Sequence, residues 1–204
     1  MSGIVASNIL DSTGIVKAPA SGGWAFISKQ TASSSSTIDF TSGIDSTYKE
    51  YVFYFKNIHP SGGTHVEFTM NLSSDAGSNY NVTKTTTMFR TYHEESGGSA
   101  SLLYQNEYDL AQSTGEQPIM AYGSGTDADS NISGSMILFN PSSTVFVKHF
   151  LTNISGTDGS YEHNHYIGGY GNTTSAINGV RFKFSSGNID AGDICLYGLT
   201  TWQV

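Results

Sequence analysis

Cysteine is nearly absent: Cys195 is the single one in 204 residues. No internal disulfide framework can therefore brace the fold. Basic residues are few, nine Lys and Arg against seventeen Asp and Glu, for a net charge of -8. A nucleic-acid footprint needs clustered Lys and Arg, so no nucleic-acid partner is expected, and anionic membrane surfaces are disfavoured for the same reason. No apolar run approaches the ~20 residues of a spanning helix, which argues against membrane insertion. The chain has no nucleophile elbow, no phosphate-binding loop and no dinucleotide fingerprint. Neither an enzyme nor a cofactor is expected from it. Residues Met1 to Val5 lack the basic start and long apolar stretch of an export signal, so synthesis in a cytosol is the expectation.

What the chain does have is glycine (23), tyrosine (12) and phenylalanine (11), set among Ser and Thr, with only 13% charged residues. That mixture suits pleated strands joined by polar turns. Alternation is clear at Trp24, Phe26 and Ser28, at Ile38 and Phe40, and in Val180-Arg181-Phe182-Lys183-Phe184. It is cleanest where Val66, Phe68, Met70 and Leu72 point one way and Glu67, Thr69 and Asn71 the other. Tyr51 to Phe55 is apolar on both faces and predicts a central strand covered on both sides. Further strands are expected around residues 85–92, 132–139, 144–154, 161–170, 177–184 and 194–199, and Ser61-Gly62-Gly63 reads as a hairpin turn. Many short strands with regular turns predict one all-β domain, a jelly-roll-like antiparallel β-sandwich over residues 21–204.

Two segments stand apart. Residues 1–20 carry Ile4, Val5, Ile9, Leu10, Ile15 and Val16, broken by polar residues and glycine. They read either as an extended N-terminal arm for attachment and oligomerisation or as a first strand of the domain's own sheet. Residues 93–130 are weakly periodic and Gly/Ser-rich, which reads as a long loop with short strands at Leu102-Leu103-Tyr104 and Ile119 to Tyr122.

Several groups carry chemical potential. Tyr92, Tyr104, Tyr108 and Tyr122 lie in or beside the long loop, with His93 and Glu94 among them. A tyrosine offers a flat apolar face and a hydrogen-bonding tip, suited to sugar rings or protein partners, and equally to a small satellite core. His163 and His165 stand two apart in a strand and share a side. They are either polar packing or half of a metal site, with a third ligand from His149, His93 or His59. Asp127-Ala128-Asp129 opens like a calcium loop, but Ile132 and Leu138 occupy the places of the required Gly and Glu, so no metal is assigned. Glu94, Glu95, Glu107, Glu116 and Glu162 form no visible acid–base pair. Cys195, in Asp193-Ile194-Cys195-Leu196-Tyr197, reads as a buried, inert thiol.

The stretch from Ser28 through Ser33-Ser34-Ser35-Ser36-Thr37-Ile38-Asp39-Phe40 to Tyr48, continued by Asn57-Ile58-His59-Pro60, resembles virion structural and tail-fibre-like proteins of marine tailed bacteriophages, cyanophages included. So do Phe89-Arg90-Thr91-Tyr92-His93-Glu94, residues 138–144, Phe146-Val147-Lys148-His149-Phe150, and the closing Val180 to Phe184, Ser186 to Gly192 and Leu196-Tyr197-Gly198. Residues 6–14 look like the short leader of phage fibre proteins. The resemblance implies a virion component made in the host bacterial cytoplasm and oligomeric, most often trimeric. Its implied partners are sister chains, other virion proteins and a host-surface glycan or protein. Two alternatives stand beside it: a capsid decoration or head-fibre protein, and a free carbohydrate-binding module.

Overall fold

A computed structural model describes residues 23–63 and 65–200. The expected arm residues Ile4, Val5, Ile9, Leu10, Ile15 and Val16 lie outside the described residues. Twelve strands follow in chain order: β1 (Gly23–Thr31), β2 (Ile38–Phe40), β3 (Glu50–Pro60), β4 (Phe68–Ser73), β5 (Lys84–Glu94), β6 (Ala100–Tyr104), β7 (Gln117–Met120), β8 (Ile132–Phe139), β9 (Lys148–Thr157), β10 (Tyr161–Gly171), β11 (Gly179–Phe184) and β12 (Ile189–Thr200). They form an eight-stranded sheet, ordered β1-β12-β3-β8-β9-β10-β5-β6, and a four-stranded sheet, ordered β2-β11-β4-β7. Every pairing is antiparallel.

Setting aside β5, β6, β9 and β10, the chain crosses from one sheet to the other at each step except β4 to β7. The result is two matched sheets, β1-β12-β3-β8 and β2-β11-β4-β7, which is the jelly roll predicted from the strand pattern. The hairpins β5–β6 and β9–β10 are insertions that widen one sheet only.

The core lies between the sheets. Phe182 on β11 sits at its centre, with ring centroids of Phe40, Phe53, Phe55 and Phe68 at 6.4, 5.3, 5.0 and 6.0 Å. Three of these four contacts are edge-on, the arrangement that ring quadrupoles prefer. Alternation explains the supply: Tyr51, Phe53 and Phe55 of β3 point inward, and their intervening partners point out.

Several sequence expectations need correction. Ser61-Gly62-Gly63 does not close a hairpin, because β3 and β4 lie in different sheets. Strand β4 is buried at all six positions, so Thr69 and Asn71 do not face solvent. Their polar groups are matched instead: Thr69 donates to the Lys183 carbonyl at 3.0 Å, and Asn71 Nδ2 to the Thr114 carbonyl at 3.2 Å. Strand β9 begins at Lys148 and not near Thr144, leaving Val145 and Phe146 exposed in the preceding turn. Residues 93–130, expected as a long loop with two short strands, hold both strands and are woven into the two sheets. They contain β6, a short 3-10 turn (Asn106–Tyr108), and β7, a fully buried strand of the jelly roll itself. Central strand β3 is covered on its inner face, while Tyr54 on its outer face is open to solvent.

That outer face is apolar across the wide sheet. The pairing register places Cys195, Tyr54, Ser135, Asn153, Tyr166, Phe89 and Tyr104 in one row from β12 to β6. A second row runs Phe26, Tyr197, Val52, Ile137, Leu151. Phe89 and Tyr166 stack at 5.0 Å, and Tyr197 meets Phe26 at 5.5 Å and Tyr54 at 5.7 Å. Cys195, in the first row beside Tyr54, is buried as a free thiol.

Replacing Phe182 by Ala removes the ring that four others share. A loss of about 3–5 kcal/mol in unfolding free energy is expected, read from chemical denaturation.

Candidate functional site

The wide sheet reaches past the narrow one. Behind its inner face there, the side chains of β5 and β10 meet residues 105–124, which comprise β7 at the edge of the narrow sheet and the irregular chain on either side of it. Thr86 donates to Gln117 Oε1 at 2.6 Å, Gln117 Nε2 donates to the Tyr108 carbonyl at 3.1 Å, and Arg90 Nε donates to Gln105 Oε1 at 3.0 Å.

At the end of this region is a pocket of about 430 Å³, whose lining includes His65, Arg90, Tyr92, Tyr122, Asp158 and His163. Alternation on β5 sends Arg90 and Tyr92 inward, and alternation on β10 sends His163 and His165 to meet them. The Arg90 guanidinium carbon lies 3.9 Å from the Tyr122 ring centroid and 5.2 Å from that of Tyr92. A cation between two aromatic faces is attracted by both ring quadrupoles. Arg90 Nη1 sits 3.0 Å from His163 Nδ1. Arginine can only donate, so Nδ1 accepts and the His163 proton resides on Nε2. Nε2 in turn lies 3.3 Å from Asp158 Oδ2.

Asp158 is fixed by its own turn. Its Oδ1 accepts the backbone N–H groups of Ser160 at 3.0 Å and Tyr161 at 2.9 Å, and His65 Nδ1 approaches Oδ2 at 3.6 Å. Burial alone pushes this carboxyl upward in pKa. The two backbone donors and His163 outweigh that and hold it below the usual carboxylate value. His163 is lowered, chiefly by burial, with Arg90 acting in the same direction. His165, fully buried against Tyr122, is pushed down to about 3 by burial, aided by His163 and Arg90. Both rings are therefore neutral near pH 7.

This constellation suits binding more readily than acid–base work. An Asp–His pair activates a nucleophile when the imidazole's second nitrogen is free to take a proton. Here that nitrogen already accepts from Arg90. What the pocket offers is tyrosine faces beside a fixed carboxylate and the half-exposed His65, a pattern fitted to a polar ring.

Of the tyrosine cluster expected from sequence, Tyr92 and Tyr122 line the pocket, and Tyr108 packs edge-on against Tyr122 at 6.0 Å. Tyr104 and His93 project from the opposite face of the sheet, with Tyr104 bonded to Asp109. Glu94 stands at the β5–β6 turn, outside the pocket lining. Arg90, Asp158, Tyr161 and His65 were not singled out from sequence. His163 and His165 do share a side, with ring centroids 6.2 Å apart. Among the described residues no three His, Cys, Asp or Glu side chains converge as a metal site. His149 packs on Tyr170, and His59 contacts the Asp127 carbonyl. Asp127 itself closes a turn through the Ser130 N–H at 2.9 Å.

No family model, no curated protein and no solved structure matches this chain.

Burial of neutral His165 has a pH signature. Between its folded value of about 3 and the ordinary 6.5, the unfolded chain binds a proton that the folded chain refuses. Stability therefore falls as pH drops from 6.5 towards 3, and His163 acts in the same sense. Asp39 and Asp158, held below the ordinary carboxylate value, add losses only near and below about pH 4. The melting temperature should fall between pH 7 and about pH 4.5, and His165→Phe should flatten that slope in scanning calorimetry.

Proposed function

We propose that this chain is a structural component of a bacteriophage particle, of the tail-fibre type, that assembles as a homo-oligomer and contributes to adhesion at the host surface. One observation carries the reading, the outer face of the wide sheet. All the large apolar side chains that are exposed among the described residues, except Val145 and Phe146, lie on it: Trp24, Phe26, Tyr54, Phe89, Leu102, Tyr104, Leu151 and Tyr166. Eight strands at a spacing of about 4.8 Å make this face about 34 Å wide. Apolar patches of such extent mark protein contacts in soluble proteins. A second copy is the occupant that fits it. Its row of rings carries almost no charge, so sister chains can pack against it without like-charge repulsion.

The resemblance of residues 28–60 and 89–94 to phage fibre proteins supports the particle setting, with three copies as the expected number. Attachment to other virion proteins through residues 1–20 belongs to the same proposal. A capsid decoration role would use the same face against capsid protein.

Saccharide recognition is favoured by a different feature, the Tyr92, Tyr122 and Tyr161 walls around Asp158 and His65. Planar rings beside fixed polar groups suit a pyranose. Repeated in each copy, a weak site of this kind gives high avidity.

Sedimentation of the full chain should show an oligomer, and the double variant Phe89→Glu with Leu151→Glu should sediment as a folded monomer. A monomeric wild-type chain would contradict assembly through this face. Screening against host-surface glycans should find binding that Tyr161→Ala weakens about tenfold or more. Equal binding by that variant would place the glycan elsewhere.

A further inference from the structure

Two lysines are fully buried, and they are housed differently. Lys148 Nζ donates to two backbone carbonyls, of Phe146 at 2.7 Å and Thr173 at 3.2 Å. Peptide carbonyls of intact backbone are poor acceptors of a nucleophile, and this site is a satisfied anchor. Lys84 instead meets a side-chain carboxamide. Its Nζ lies 2.5 Å from Asn71 Oδ1 and 2.9 Å from the Val82 carbonyl. Both residues are closed off from solvent, Lys84 at 0% and Asn71 at 2% exposure.

The rest of the Asn71 amide is held in a productive orientation. Its oxygen also accepts the Leu72 N–H at 2.9 Å, which polarises the carbonyl from a second direction. Its nitrogen donates to the Thr114 carbonyl at 3.2 Å. Two residues beyond Thr114 stands Glu116, whose charge acts on Lys84 and whose buried Oε2 meets no donor among the described residues. The segment is pinned against Lys84 by paired backbone bonds, Lys84 N to Ser113 O at 2.7 Å and Ser113 N to Lys84 O at 3.0 Å. Burial also lowers the lysine to about 8, which favours the neutral amine, while Glu116 opposes that shift.

We propose that Lys84 and Asn71 form an intramolecular isopeptide bond. The lone pair of the neutral Lys84 amine attacks Asn71 Cγ, whose oxygen is held by the Leu72 N–H. A proton passes from Nζ to Nδ2 within the adduct, the Cγ–Nδ2 bond breaks, and ammonia departs, leaving a secondary amide. One C–N bond forms, one breaks, no electron is gained or lost, and no outside reactant is needed. The bond joins β4 of the narrow sheet to β5 of the wide one, closing the connection of residues 71–84. It would lock the wide sheet's inserted wing to the jelly roll without any disulfide.

Intact mass spectrometry of the folded, purified full chain tests this. The expected mass is below the sequence mass by one ammonia, about 17 Da. Trypsin should fail to cleave after Lys84, and fragmentation should place the loss across Asn71 and Lys84, distinct from cyclisation at Asn178-Gly179. Lys84→Met should keep the full sequence mass. A wild-type chain at full mass, cleaved normally after Lys84, overturns the proposal, as does an ammonia loss that persists in Lys84→Met.

Discussion

The two sheets differ in size, eight strands against four, and the rest of the molecule accommodates that mismatch. Where four strands face four, the space between them is filled by phenylalanines and aliphatic residues. Where β9, β10, β5 and β6 extend further, only β7, at the edge of the narrow sheet, reaches the inner face. Residues 105–124 cover much of it, tied down by side-chain hydrogen bonds to Thr86, Arg90 and their neighbours. Backbone that is not in a sheet needs polar partners when buried. Lys84, Thr86, Gln105 and Gln117 are buried in this wing, and each hydrogen-bonds a backbone group there.

The same alternation that sends Arg90, Tyr92 and His163 inward sends Phe89, Tyr104 and Tyr166 outward. A strand cannot enlarge one face without enlarging the other. The insertions thus create both a polar interior that can hold a ligand and an apolar exterior that asks for a partner. In the reading advanced here, those are the adhesive and assembling surfaces of one particle component. Avidity then follows from geometry, since each copy added to the assembly presents one more pocket.

Much of the fold was legible because most strands have one face in the core. Strand β9 alternates buried and exposed positions over most of its length, and the inward face of Val180, Phe182 and Phe184 was evident in their spacing. Strand β7 was legible only in part: Ile119 and Met120 were expected in a strand, but four buried residues containing Pro118 show no period that would mark Gln117 and Pro118. Alternation placed Thr69 and Asn71 on the face opposite Met70 and Leu72, but it carries no sign that this second face is covered too. At the site, Tyr92, Tyr122 and the His163–His165 spacing could be noticed locally. Arg90 could not, because its partner His163 is 73 residues away and a single arginine in a strand carries no local signal. Asp158 likewise looked like an ordinary turn residue, and its second role depends on where the β9–β10 hairpin lands.

Hydroxyl-radical footprinting of the full chain in solution addresses the central claim most directly. Val145 and Phe146, 68% and 69% exposed and away from the wide sheet's face, serve as internal standards. Phe26, Leu102 and Tyr104, at 60%, 66% and 60%, are open to a similar degree in a single copy. If that face is covered by sister chains, these three should be oxidised far more slowly than their exposure dictates, while Val145 and Phe146 react freely. Oxidation of both groups in proportion to exposure would show the face bare, and would contradict assembly through it.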